Sequence, residues 1–412
     1  MTYGRGGATF LPTYLPQRSE GRSHGFGARR TGGLDTILPY SILSRTAVKS
    51  LGQLFEWTFR YMTNSRATHP LVWLDNARII SCFAVVFLHV AGIIVYHEPA
   101  FGGSKWLAGN LFNAFSRWSV PFFLMISGVL LLAPEKSEPV AVFYRKRFSR
   151  ILIPLASWTI VYSIIRIWPF LHDPAALGPE SLRIFKDILA GNPYYHLWYM
   201  YMLVGLYLFL PILRFCVKSA SFDDLRLLCM AWFAIAIISS AAYTFNGPLQ
   251  ARFSIFIGSF SNFIPYCLAG YVIAASKAAM RAWRLWVIVV AGGVLSVIMT
   301  HALGALPSEP RFYAYSFVSI TIVPMSLALF KLAKRLTLPL AGNRFNARFA
   351  DFTLGIYLIH PAVLKALAAF GFNATSFHPA FSIPFLAVST FMLSAACTAA
   401  IATIPLLKKT VT

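Results

Sequence analysis

Arg78 and His89 stand eleven positions apart in the apolar run LVWLDNARIISCFAVVFLHVAGIIVY, Leu71 to Tyr96. At about 100° per residue that spacing is three turns plus roughly 20°, so a helix carries both on one face, about 16 Å apart along its axis. Each ionisable group inside a bilayer costs about 2.5 to 3.5 kcal/mol, which makes such groups functional candidates. His89 falls deep in the run, where a neutral imidazole can take a proton from a hydroxyl at physiological pH. Arg78, nearer the start, reads two ways. It either serves the same chemistry or snorkels to the headgroups as an anchor. Asp75 lies one turn before Arg78 and can pair with it and orient it.

Three further groups have types and spacing that suit chemistry. In FYRKRFSRILIP, Phe143 to Pro154, Arg147 and Arg150 share a helix face and Arg145 and Lys146 add charge. Guanidinium forks suit phosphate oxygens, although basic residues at a helix end also simply set topology. YYHLWY, Tyr194 to Tyr199, carries His196, Trp198 and Tyr199; such a cluster forms an interfacial belt or stacks on sugar rings. GIYLIHP, Gly355 to Pro361, holds Tyr357 and a second intramembrane histidine, His360. Pro361 frees a backbone carbonyl nearby, and His360 serves either the site or an interhelical hydrogen bond. In PFFLMISG, Pro121 to Gly128, the pair Ser127–Gly128 lets another helix approach closely. The five cysteines, Cys82, Cys216, Cys229, Cys267 and Cys397, show neither pairing nor metal-ligand spacing, so no metal site is expected.

The elements that hold these groups are read from composition. Of 412 residues, 57% are hydrophobic and 12% charged. A soluble domain carries about twice that charge. Apolar runs near twenty residues recur, which predicts an all-α polytopic membrane protein of ten spans. These run roughly over 73–96, 113–133, 151–171, 197–215, 226–245, 253–275, 284–303, 313–331, 352–370 and 381–406. The net charge of +22 would suggest nucleic acid in a soluble chain, but here it collects in the N-terminal tail and in alternate loops, as membrane topology requires, and no nucleic-acid partner is expected. With both termini inside, the inside loops hold 18 Lys and Arg against 6 outside, the latter including Lys105, Arg117, Arg183 and Lys186. Residues 1–68, rich in Gly, Ser and Arg, are expected to be a disordered extension before a membrane domain over 69–412, with no signal peptide. Met62 is the first methionine after Met1 and a candidate start.

These motifs together resemble the acyltransferase-3 family of bacterial membrane O-acyltransferases. Its arginine, ten residues, then histidine in the first span resembles Arg78 to His89 in LDNARIISCFAVVFLH. Its FFxxSGxLL resembles Phe122 to Leu131, its RxxR resembles Arg147 to Arg150, its HLWY-like segment resembles His196 to Tyr199, and its IYLIHP-type segment resembles Ile356 to Pro361. The likeness runs in order over about 71–406. Asn76-Ala77 depart from the pattern, and the first 68 residues find no counterpart.

The resemblance implies transfer of an acyl group, usually acetyl, from cytoplasmic acyl-CoA to a glycan hydroxyl at the bacterial inner membrane. Acetyl-CoA would be a co-substrate rather than a bound cofactor. Arg147 and Arg150, with Arg145 and Lys146, would hold CoA phosphates, and Arg78 would steer the thioester arm toward His89. A glycan or lipid-linked saccharide would enter past Arg117, Trp118 and the Tyr194–Tyr199 segment. His89 would act either as general base or as a covalent acyl carrier. Ser127, Tyr357 and His360 would support the site. The competing class is a transporter coupled through His89 and His360, against which stand the missing internal repeat and the scarcity of intramembrane carboxylates.

Overall fold

The computed structural model describes residues 72–133, 138–245, 260–306 and 310–412, with the side chain of Arg311 left aside. The expected extension 1–68 with Met62, the loop residue Lys136, and Arg252 with the first part of the span 253–275 lie outside the described residues. Most of the described residues are helical, with no strand among them. Apolar chain in a bilayer must satisfy its backbone polar groups internally, and helices do this within each segment.

The first helix, α1 (Val72–His97), runs unbroken for 26 residues. It is followed by α2 (Ser104–Ser116) and α3 (Ser119–Leu131), which together form one apolar run of 28 residues. Next come α4 (Val140–Ile167), α5 (Pro174–Leu189), α6 (Trp198–Ser219), α7 (Phe222–Phe245) and α8 (Ile264–Ala275). The chain closes with α9 (Ala282–Gly304), α10 (Ile322–Ala333), α11 (Asn343–Asp351), α12 (Thr353–Ala369), α13 (Pro379–Thr403) and α14 (Pro405–Lys408). Among the described residues, seven runs are long and apolar enough to cross a bilayer, or eight if α11 and α12, bent by 60°, count as one. α8 and α10 are apolar but only 12 residues each, about 18 Å of helix against a hydrocarbon core of about 30 Å.

Two helices escape hydropathy. α5 occupies what composition suggests is a loop: Asp173 caps it by accepting from the Ala175 and Ala176 amides at 3.1 and 3.2 Å, and Pro174 opens its first turn. α11 is short and polar on one side. The second span also begins nine residues before the expected 113. Arg117 therefore lies at the α2–α3 junction, in the middle of a span and buried, and not in an outside loop as the charge count placed it.

α1 is the centre of the bundle and touches α2, α3, α10, α11, α12 and α13. Its polar N-terminal end is tied down by side chains. Asn76 donates to the carbonyls of Leu336 and Leu338 at 2.9 and 2.8 Å and accepts from Asn346 of α11 at 2.9 Å. α3 crosses α8 at two facing glycines. A Cβ on Gly128 would collide with the Cys267 carbonyl, and one on Gly270 would collide with the Met125 carbonyl. Gly128 is thus the close-packing half of the Ser127–Gly128 pair. At the far edges, α7 and α9 expose Ile235, Ile238, Trp286 and Ile298, apolar side chains suited to lipid.

Candidate functional site

α1 holds Arg78 and His89 on one continuous helix, and both line a single cavity of about 1820 Å³. The cavity runs the length of the bundle. Arg78, Arg147, Arg150 and Asp351 line it where α1 and α4 begin, and His97, Asn192, Tyr243 and Asn373 line it at the opposite end. His89 lies between these ends on α1.

The chemistry at His89 is set by α12. Pro361 has no N–H, so the helix cannot satisfy the carbonyl four residues earlier, that of Tyr357. His360 Nδ1 lies 2.7 Å from this Tyr357 oxygen. A carbonyl only accepts, so His360 Nδ1 carries the hydrogen. With His360 neutral, its Nε2 is an acceptor, and His89 Nδ1 stands 2.8 Å from it with the two rings stacked at 14°. His89 Nδ1 therefore donates, and the lone pair of His89 sits on Nε2. His89 lines the cavity while His360, fully buried, stands behind it.

An aromatic wall surrounds the pair. Tyr195 meets His89 edge-on at 5.2 Å, and His196 meets His360 edge-on at 5.4 Å. The Tyr357 hydroxyl donates to the His196 carbonyl, joining α12 to the segment that enters α6. Trp198 stacks on Phe317 at 5.9 Å, and Tyr199 packs on Tyr357 at 5.7 Å. Tyr195, His196, Trp198, Tyr199 and Tyr357 all line the cavity.

At the basic end, Arg78 sits 3.7 Å from Asp75, which is itself buried and away from the cavity. Arg147 lies over the Phe143 ring at 5.8 Å, and its buried Nε has no hydrogen-bond partner among the described residues. Arg150 is exposed at the cavity mouth. Arg145 and Lys146 are not in the lining; Lys146 donates to Glu138 at 2.9 Å, and Arg214 stands 3.6 Å from the same carboxylate. The hydrogen bond from Lys146 holds the Glu138 carboxyl below its usual range. The basic stretch thus divides by role: Arg147 and Arg150 face the cavity, and Lys146 pairs with Glu138 just before α4.

Of the other expected residues, Arg117 and Ser127 line the cavity, Ser127 also donating to the Phe123 carbonyl at 2.9 Å. Trp118 does not line it and packs on Phe122 at 4.5 Å. The sequence reading missed a hydroxyl-bearing wall made by Ser239, Ser240, Tyr243 and Thr244 near the end of α7, with Ser240 and Ser316 hydrogen-bonded at 2.9 Å. Its only signal is a spacing of polar residues on one face of an apolar helix. No group of histidines, cysteines and carboxylates among the described residues could hold a metal ion.

Comparison with known families gives one match. A family described as an acyltransferase domain matches residues 71–403. No curated protein and no solved structure gives a significant match.

Proposed function

The chain belongs to the acyltransferase-3 family and is a membrane acyltransferase, and from that premise we propose that it moves an acyl group, acetyl in the first instance, from acyl-CoA to a glycan hydroxyl. The observation that carries this reading is the fixed lone pair of His89 Nε2 inside a cavity that reaches both ends of the bundle.

In this reading the basic end faces the cytoplasm of a bacterial cell, and Arg147 and Arg150 hold the CoA phosphates. Arg78, held by Asp75 at 3.7 Å, steers the pantetheine arm. The span of about 16 Å from Arg78 to His89 is within reach of that extended arm. The acceptor enters from the opposite end, past the aromatic wall and the α7 hydroxyls. His89 Nε2 takes the proton of the acceptor hydroxyl while its oxygen attacks the thioester carbon. A C–O bond forms, the C–S bond breaks, and the departing thiolate takes the proton from His89. His89 then returns to its starting protonation, the acceptor's proton ends on the CoA sulfur, and the products are an ester and CoA thiol. Because one cavity reaches both substrate ends, direct transfer needs no acyl-enzyme.

The test is purified protein in lipid nanodiscs with acetyl-CoA and isolated surface glycan, following free thiol and ester together. His89→Ala should release no thiol and form no ester while keeping the wild-type melting curve. An active His89→Ala removes His89 as the base, and a wild-type protein that never consumes thioester rejects acetyl-CoA as the donor.

A further inference from the structure

Among the described residues two arginines are deeply buried, and they are treated differently. Arg166, 5% exposed, is paired with Glu180 at 3.1 Å and Asp187 at 2.8 Å. Arg117, 7% exposed, meets only neutral acceptors: the Asn113 side-chain oxygen at 2.8 Å, the Tyr315 carbonyl at 3.1 Å and the Tyr96 hydroxyl at 3.0 Å. Its guanidinium also lies 4.3 Å over the Tyr315 ring. Among the described residues no carboxylate stands within ion-pair distance of it. A guanidinium has five N–H donors, and these contacts use three. A buried charge at mid-span without a counter-ion is costly, and a ligand anion removes the cost.

Its position points to the acceptor side. Asn113, which holds Arg117 Nε, also donates to the carbonyl of Leu88, the residue before His89, at 3.0 Å. Tyr96, which holds another guanidinium nitrogen, is two turns beyond His89 on α1. Arg117 therefore sits between His89 and the end opposite the CoA arginines. The charge of the lining agrees: Arg78, Arg117, Arg147, Arg150, Arg166 and Lys365 face Asp351 alone. The three arginines at the basic end suit the phosphates of the donor. Arg117 and Lys365 remain on the other side, and neither is needed for CoA.

We propose that Arg117 is the centre of an anion subsite, so that the acceptor hydroxyl belongs to a saccharide that also carries a carboxylate or a phosphate. This rests on the acyl-transfer reading above. Arg117 grips the anion and thereby presents a neighbouring hydroxyl to His89.

The test uses sugar pairs that differ in charge: methyl glucuronide against methyl glucoside, and glucose 1-phosphate against glucose. Ester formation from acetyl-CoA is measured in nanodiscs, and saturable thermal stabilisation is measured in parallel with CoA already saturating. At least one charged sugar should exceed its neutral partner by about tenfold or more in kcat/KM and should alone stabilise the protein. Arg117→Gln should bring both preferences toward parity, and Arg117→Lys should keep part of them. Equal use of neutral and charged sugars, no stabilisation by either anion, or a preference that survives Arg117→Gln overturns the proposal. If Arg117→Gln does not fold, the wild-type pairs still decide it. Anion-specific stabilisation without thioester consumption keeps the subsite and rejects acyl transfer; thioester consumption without charge preference does the reverse.

Discussion

At the scale of the residue, reactivity here is an arrangement of hydrogens. Tyr357 offers a carbonyl because Pro361 cannot donate to it, His360 fills that carbonyl at 2.7 Å, and His89 is left basic at Nε2. His360 is then a positioning residue, and its loss should act on turnover. His360→Leu should lower kcat at least about tenfold with the KM for acetyl-CoA unchanged. His360→Gln, whose carboxamide oxygen still accepts from His89, should fall less. Equal losses in both variants, or a loss confined to KM, would reduce His360 to packing. Arg150 belongs to the same scale. It is exposed at the cavity mouth, and one lost charge-assisted bond to phosphate is worth about 1.5 to 3 kcal/mol. Arg150→Ala should therefore weaken acetyl-CoA binding about 10- to 100-fold in a titration. Unchanged affinity would make Arg150 a topology determinant only.

At the scale of the element, the site depends on how closely α3 and α8 approach. The reciprocal glycines place backbone against backbone, with the Cys267 and Met125 carbonyls where side chains would otherwise stand. Backbone cannot swing aside as a flexible side chain can, so Gly128→Ala should destabilise by about 1 to 3 kcal/mol, read as a lower midpoint in thermal unfolding. A variant as stable as wild type would show that the crossing tolerates separation. The Asn76 tie works at the N-terminal end of α1. It joins the start of the reactive helix to the Leu336 and Leu338 carbonyls and to α11. Asn76 departs from the family-like pattern beside the arginine, and the structure gives it a full set of partners.

At the scale of the whole molecule, the cavity links two chemically different ends, one basic and one lined by aromatic rings and hydroxyls. In the proposed orientation, read from the alternating basic loops, the Arg147 end faces the cytoplasm. A cysteine replacing Lys136, between α3 and α4 in sequence, should then resist membrane-impermeant thiol reagents applied to intact cells and react after permeabilisation. Labelling in intact cells would invert the orientation and with it the assignment of donor and acceptor ends.

The chain by itself determined much of this. Hydropathy located the apolar helices, because burial in lipid demands long apolar runs. The 3.6-residue period put Arg78 and His89 on one face of α1, because that relation is internal to a single helix. Ordered short motifs placed the chain in its family. Tertiary structure alone decided what crosses between helices. The stacking of His89 on His360 spans 271 positions in sequence, and no local pattern encodes such a contact. The sorting of Arg147 and Arg150 from Arg145 and Lys146 depends on which side of α4 meets the cavity. Arg117 changed most: a charge counted as a loop residue proved to be a buried guanidinium at mid-span, because α2 begins at Ser104 and carries the span outward past it. Pairing is a property of neighbours, and only the fold supplies them.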